Sequence, residues 1–133
     1  IECASGALDS MDHDEARGTL QRSIASLFAR CPRGATAVLH DVSRARPEHV
    51  PALLPALSEN GAYMDRGRAV STTFGTVLLL ATLPGVAADA ADEKAFTNAA
   101  KRELLEAMRA AKDGRDDDGT ALAFRRRIDV AIP

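Results

Sequence analysis

The stretch ATAVLHDVSRARPEHV, residues 35–50, decides the fold. Its apolar block, with Val38 and Leu39 central, reads as a buried strand over residues 35–42. His40 and Asp41 close that block. A basic segment follows and leads to Pro47, a residue suited to the first turn of a helix. Reading upstream, Asp12 can cap a helix that runs to about residue 29. Its Ala16, Leu20, Ile24, Leu27 and Phe28 share one face at the 3.6-residue period. Residues 31–34, CPRG, break that helix, and residues 1–7 look like a short strand before it.

Downstream, residues 48–58 read as a helix carrying Leu53, Leu54 and Leu57. Pro51 falls in its first turn, Pro55 should bend it, and Asn60-Gly61 closes it. Residues 62–71 form two extended pieces about an Asp65-Arg66-Gly67 turn. The strongest strand signal is TVLLLATL, residues 76–83, stopped by Pro84-Gly85. Asp92 can cap a second long helix, with Phe96, Ala99, Leu104, Leu105 and Met108 inward. Residues 112–119, KDGRDDDG, are expected to be a solvated, mobile acidic loop, because like charges and two glycines do not pack. A short turn around residues 121–126 and a strand over 128–132 complete the pattern. This alternation predicts an α/β domain of three layers, α/β/α, around a mostly parallel sheet.

A chain of 133 residues has room for one domain, read as 1–133, with its N-terminal side open to further sequence before Ile1. A net charge of −2 gives no general drive toward nucleic acid or membrane. The basic clusters Arg44/Arg46 and Arg125 to Arg127 have no interleaved aromatics for base stacking, so no nucleic-acid partner is expected. No apolar run reaches the ~18 residues of a membrane span, and no membrane contact is expected from this segment. No signal-peptide pattern is visible. His13, His40 and His49 lack ligand spacing and no Cys-x-x-Cys pair exists, so no metal site is expected. Two reduced thiols and a single disulfide are both open for Cys3 and Cys31, which fall near the ends of adjacent strands in this fold. The serines lack a nucleophile-elbow context.

Three blocks carry a resemblance: ATAVLHDVSRARPEHVPALLPAL (35–57), ENGAYMDRGRAVSTTFGTVLLLATLPG (59–85) and FRRRIDVAIP (124–133). In this order they resemble the Walker B strand with its helix, the hairpin with the sensor 1 strand, and the last strand of a Clp/torsin-type AAA+ ATPase domain. The resemblance implies an AAA+/P-loop-like sheet. It also exposes departures. No Gly-x-x-x-x-Gly-Lys-Ser/Thr loop occurs to cradle phosphates. The strand preceding that loop, central in the family's sheet, has no counterpart. His40 stands where the family has its Mg²⁺-supporting Asp, and imidazole is a poor ligand for so hard an ion. Asp41 stands where the family has its water-activating Glu, one methylene longer. Leu83 falls at the sensor 1 Asn. Arg127, with Arg126 beside it, stands where the arginine finger precedes Ile-Asp. A solvated basic cluster is the plain alternative for these arginines. No helical lid follows the last block.

AVLH (37–40) and ENGAYMD (59–65) bring the chain closest in character to the luminal torsin activators of the lamina-associated polypeptide type. That resemblance implies a non-catalytic regulatory domain that docks on an active AAA+ ATPase and supplies it an arginine, Arg127 or Arg126. Two alternatives stay open. The chain can be the C-terminal portion of an ATPase domain whose P-loop lies upstream, or a purely structural pseudo-ATPase subunit. No cofactor is expected; ATP and Mg²⁺ enter only with an upstream P-loop. The expected partner is an AAA+ ATPase subunit or another protein subunit. Likeness to the activators implies the endoplasmic reticulum lumen or perinuclear space. Likeness to Clp implies an organelle matrix or cytosol.

Overall fold

Asp12 starts the first long element: its carboxylate accepts the Glu15 N–H at 2.9 Å, satisfying one of the unpaired donors of a helix start. The computed structural model describes residues 1–86, 92–110 and 118–132. A single turn, α1 (Gly6–Asp9), precedes α2 (His13–Arg30). The chain then forms β1 (Thr36–Leu39), β2 (Ala62–Asp65), β3 (Arg68–Ser71), β4 (Thr76–Leu79), α3 (Glu93–Ala110) and α4 (Asp118–Arg126). The protein is thus a mixed α/β chain with a small parallel sheet and a separate antiparallel pair.

The parallel sheet pairs β1 with β4 in the register Thr36 to Thr76 through Leu39 to Leu79. Residues 1–3 extend it on the other side of β1. The Ile1 ammonium donates to the Val38 carbonyl at 2.8 Å, the His40 N–H donates to Ile1, and the Cys3 N–H donates to His40. The expected strand over residues 1–7 is reduced to a single parallel bridge, Glu2 to His40, because Ser5 already accepts the Leu8 N–H and opens α1. The expected strand over 76–83 stops at Leu79, one residue before the Leu80 N–H makes the last bond to Leu39, at 2.8 Å.

Between β1 and β2 the expected α-helix over 48–58 is replaced by 3₁₀ segments, Pro47–Ala52 and Leu54–Leu57, after a shorter one at Val42–Arg44. Pro47, Pro51 and Pro55 stand four apart. Each later ring would meet the carbonyl of the earlier proline and lacks the N–H to bond it. Tighter i→i+3 bonds remain possible: His49 to Arg46, Leu53 to Val50, and Ala56 to Leu53, at 2.9 to 3.1 Å. The hairpin matches its expectation. Arg66 and Gly67, at φ 48° and 78°, form its two-residue loop, as a type I′ connection requires.

Most of the core is one cluster. It joins Ile24, Ala25 and Phe28 of α2, Ala37 and Leu39 of β1, Val50, Leu53 and Ala56 of the 3₁₀ segments, Tyr63 of β2, Leu104 and Met108 of α3, and Phe124 of α4. A smaller cluster of Leu8, Ala16, Leu20 and Ala52 sits under α1. Of the five apolar positions expected on α2, Ala16, Leu20, Ile24 and Phe28 are buried and Leu27 is half-buried. On α3, Phe96, Leu104, Leu105 and Met108 are buried. Ala100 takes the buried place expected of Ala99.

The C-terminal part differs from expectation. The turn expected around 121–126 is the helix α4, and its Phe124 is fully buried. Leu, Ala, Phe and Arg in that stretch are adequate helix formers once Phe124 has a core to enter. Most of the expected loop 112–119 lies outside the described residues; Asp118 and Gly119 begin α4. Residues 128–132 are not a strand. The segment runs beside α3, where Thr97 Oγ1 accepts the Ala131 N–H at 3.1 Å, so no sheet edge receives it.

Candidate functional site

The sheet has one packed side. Ala37 and Leu39 are buried, and Val77 and Leu79 pack against the core. The opposite side carries Thr36, Val38, Thr76, Leu78 and Leu80, with Leu78 47% and Leu80 46% exposed. The outer edge of β4 is also unpaired among the described residues. Thr76 and Leu80 send their N–H groups to β1. Strand alternation therefore turns the N–H and C=O of Val77 and Leu79 toward that open edge. No charged residue and no proline occurs from residue 69 to residue 83, so the edge lacks the usual guards against strand addition.

His40 follows β1 as a half-buried residue that, among the described residues, is bonded through its backbone, to Ile1 and Cys3, and not through its imidazole. Asp41 follows in the left-handed region, at φ 55° and ψ 37°, and its carbonyl accepts the Arg44 N–H at 3.0 Å. The residue across the sheet from His40 is Leu80, not Leu83: the Val42 N–H donates to Leu80 O at 3.1 Å. Leu83 lies beyond the strand, half-buried against the main core. The strand end thus brings together His40, Asp41 and Leu80.

Arg126 ends α4, Arg127 follows it in a turn, and both are exposed. Arg127 is held in place: Nε donates to Ser58 Oγ at 3.1 Å and an Nη to the Ala123 carbonyl at 2.9 Å. No hydrogen bond or ion pair among the described residues joins either arginine to His40 or Asp41. Cys3 is buried and Cys31 exposed, both as free thiols. Burial pushes the Cys3 thiol up to about 12, so it stays protonated and unreactive at neutral pH. Among the described residues, no group of three His, Cys, Asp or Glu side chains could hold a metal ion.

A second arrangement was not legible in the sequence. A groove of about 750 Å³ runs between the C-terminal end of α2 and the hairpin, lined by Phe28, Pro32, Val70 and Phe74 and by Arg33, Arg66 and Arg68. Its residues come from two separated segments, 28–33 and 65–74, and only the fold assembles them. The one local signal is Phe74, an aromatic in a run of threonines, serine and glycine. Comparison with protein-family models, with curated proteins and with solved structures returns no match.

Proposed function

We propose that this chain is a non-catalytic, AAA+-like interaction domain that docks on an active AAA+ ATPase of the torsin type and presents Arg127 to it. The observation that carries the reading is the open side of β4: an uncharged edge with unpaired main-chain groups beside exposed Leu78 and Leu80. Unpaired edges and grouped exposed apolar side chains are where other chains add. The parallel placement of residues 1–3, β1 and β4 supports an AAA+-like sheet, with further layers completing it in the assembly. Arg127 supports the finger role because Ser58 and Ala123 fix its guanidinium while Nη2 keeps no protein partner among the described residues. A positioned guanidinium suits charge on a transferring phosphoryl group, where such residues contribute ~10³–10⁵ in rate. At the strand end His40 has only an imidazole where Mg²⁺ prefers oxygen, Asp41 is a single carboxylate on a left-handed backbone, and Leu80 has no group to order a γ-phosphate.

The open edge is also where a strand of an upstream ATPase segment would add, so the test must separate the two. It is equilibrium binding of a fluorescent ATP analogue, with Mg²⁺, to the longest natural form of the polypeptide. The interaction-domain reading expects no binding at high micromolar analogue. Tight Mg²⁺-dependent binding would mean that an upstream P-loop completes an ATPase, and the reading would fall.

A further inference from the structure

The groove between α2 and the hairpin is lined by three arginines. Arg33, Arg66 and Arg68 line it with only one carboxylate, Asp65. All three are exposed, and none makes an ion pair or side-chain hydrogen bond among the described residues. Beside them stands Phe74, 72% exposed. The other aromatic residues, Phe28, Tyr63, Phe96 and Phe124, are all buried. The exposure of Phe74 is built in. Gly75 lies so close to the Phe28 ring that a Cβ at Gly75 would overlap it. The chain therefore comes down on Phe28 at Gly75 and leaves Phe74 outside.

Arg66 adds an independent sign. It occupies the first loop position of the hairpin at φ 48°, where Asn, Asp or Gly is favoured and a long side chain is disfavoured. A charged residue at a conformationally unfavourable position points to a use outside folding.

We propose that this groove is a docking site for an acidic, partly apolar peptide segment of another protein. Arginine forks pair with carboxylates in a bidentate manner, while Phe74, Val70 and Pro32 offer the apolar wall that a neighbouring aliphatic side chain needs. Charge complementarity selects the occupant: the groove is locally cationic on a chain whose net charge is −2. That overall charge disfavours a long polyanion such as RNA, and the groove's volume suits a few side chains. The site does not depend on the ATPase reading, since it shares no residue with the β4 edge or with Arg127.

The experiment is selection of a displayed library of random short peptides against the intact chain. The most enriched peptide is then synthesised, labelled and titrated. Enriched sequences should combine Asp or Glu with aliphatic residues, and their affinity should fall with rising salt. Arg66→Asn should weaken binding about fivefold and Arg66→Asn with Arg68→Gln about tenfold or more, the scale of lost interface anchors. Arg66→Asn gives the turn a residue it favours, so lost binding cannot be lost folding. Phe74→Ala should cost about fivefold by the same measure. No enrichment, enrichment of neutral or basic peptides, or affinity unchanged in the double variant overturns the proposal. So does displacement of the peptide by oligouridylate at lower concentration than by the unlabelled peptide itself.

Discussion

The two hairpin-flanking regions of this molecule treat their surfaces in opposite ways. On the side facing the 3₁₀ segments, the hydroxyls of Tyr63 and Thr72 bond to backbone carbonyls. The Tyr63 hydroxyl donates to the Ala52 carbonyl at 2.7 Å and accepts the Ala56 N–H at 3.1 Å. Thr72 Oγ1 lies 3.0 Å from the carbonyl oxygens of both Pro55 and Gly61. The bond to Ala52 satisfies a carbonyl that Pro55, which has no N–H, cannot pair, and the others add second partners to backbone groups of the 3₁₀ stretch and the hairpin. On the β4 side, Leu78 and Leu80 stay in water and the backbone edge is open among the described residues. The contrast separates what holds the fold from what the fold offers to others.

The contrast breaks most sharply at Phe28, which is fully buried in the main cluster and forms the seat of Gly75. Phe28→Ala should lower stability by about 3–5 kcal/mol, as a large cavity in a packed core does. Chemical denaturation would read this. A smaller loss would mean that Phe28 does not anchor the main core. Next is Tyr63→Phe, which removes one oxygen and strands the buried Ala52 carbonyl, while the Ala56 N–H keeps its bond to Leu53. Its expected cost is about 1–3 kcal/mol with little change in the unfolding slope.

His49 sharpens the comparison through pH. Its ring is 1% exposed and its Nε2 has no partner among the described residues. Burial pushes its pKa down, and the charges of Arg46 and His13 push the same way, with Glu48 and Asp9 opposing. In the unfolded chain the imidazole protonates near pH 6.5. The folded chain resists that proton. The resulting stability is therefore whole above pH 6.5 and is lost as pH falls through the lower folded value. Unfolding midpoints measured from neutral pH downward should fall in the native protein. In His49→Leu this component of the fall should be missing. The smallest effect belongs to the exposed face: Leu78→Lys should change stability by less than about 0.5 kcal/mol yet abolish docking of a partner on β4.

Much of this was legible in the sequence where one residue type forces one geometry. Asp12 fixed the start of α2, the 3.6-residue apolar period fixed its buried face, and Arg66-Gly67 fixed the hairpin. Elements failed where the outcome depends on neighbours. The apolar period over residues 48–58 looked helical, but the four-residue proline spacing vetoes α-helical bonds and leaves 3₁₀ turns. Residues 128–132 had strand composition, but Thr97 of α3 captures the Ala131 N–H. Residues 121–126 looked like a turn after an acidic run, and the core site for Phe124 makes them helical. At the strand end, His40 and Asp41 lie where expected, while the partner across the sheet is Leu80, because β4 ends earlier than its apolar run. The groove arginines carried no local pattern at all.

The most direct measurement is the turnover of a torsin-type ATPase with and without this chain, compared with the Arg127→Ala variant. The account predicts stimulation by the native chain and its near-complete loss in Arg127→Ala, with Arg126→Ala retaining most of it and both variants folded. Unchanged turnover, or equal stimulation by native chain and Arg127→Ala, would contradict it.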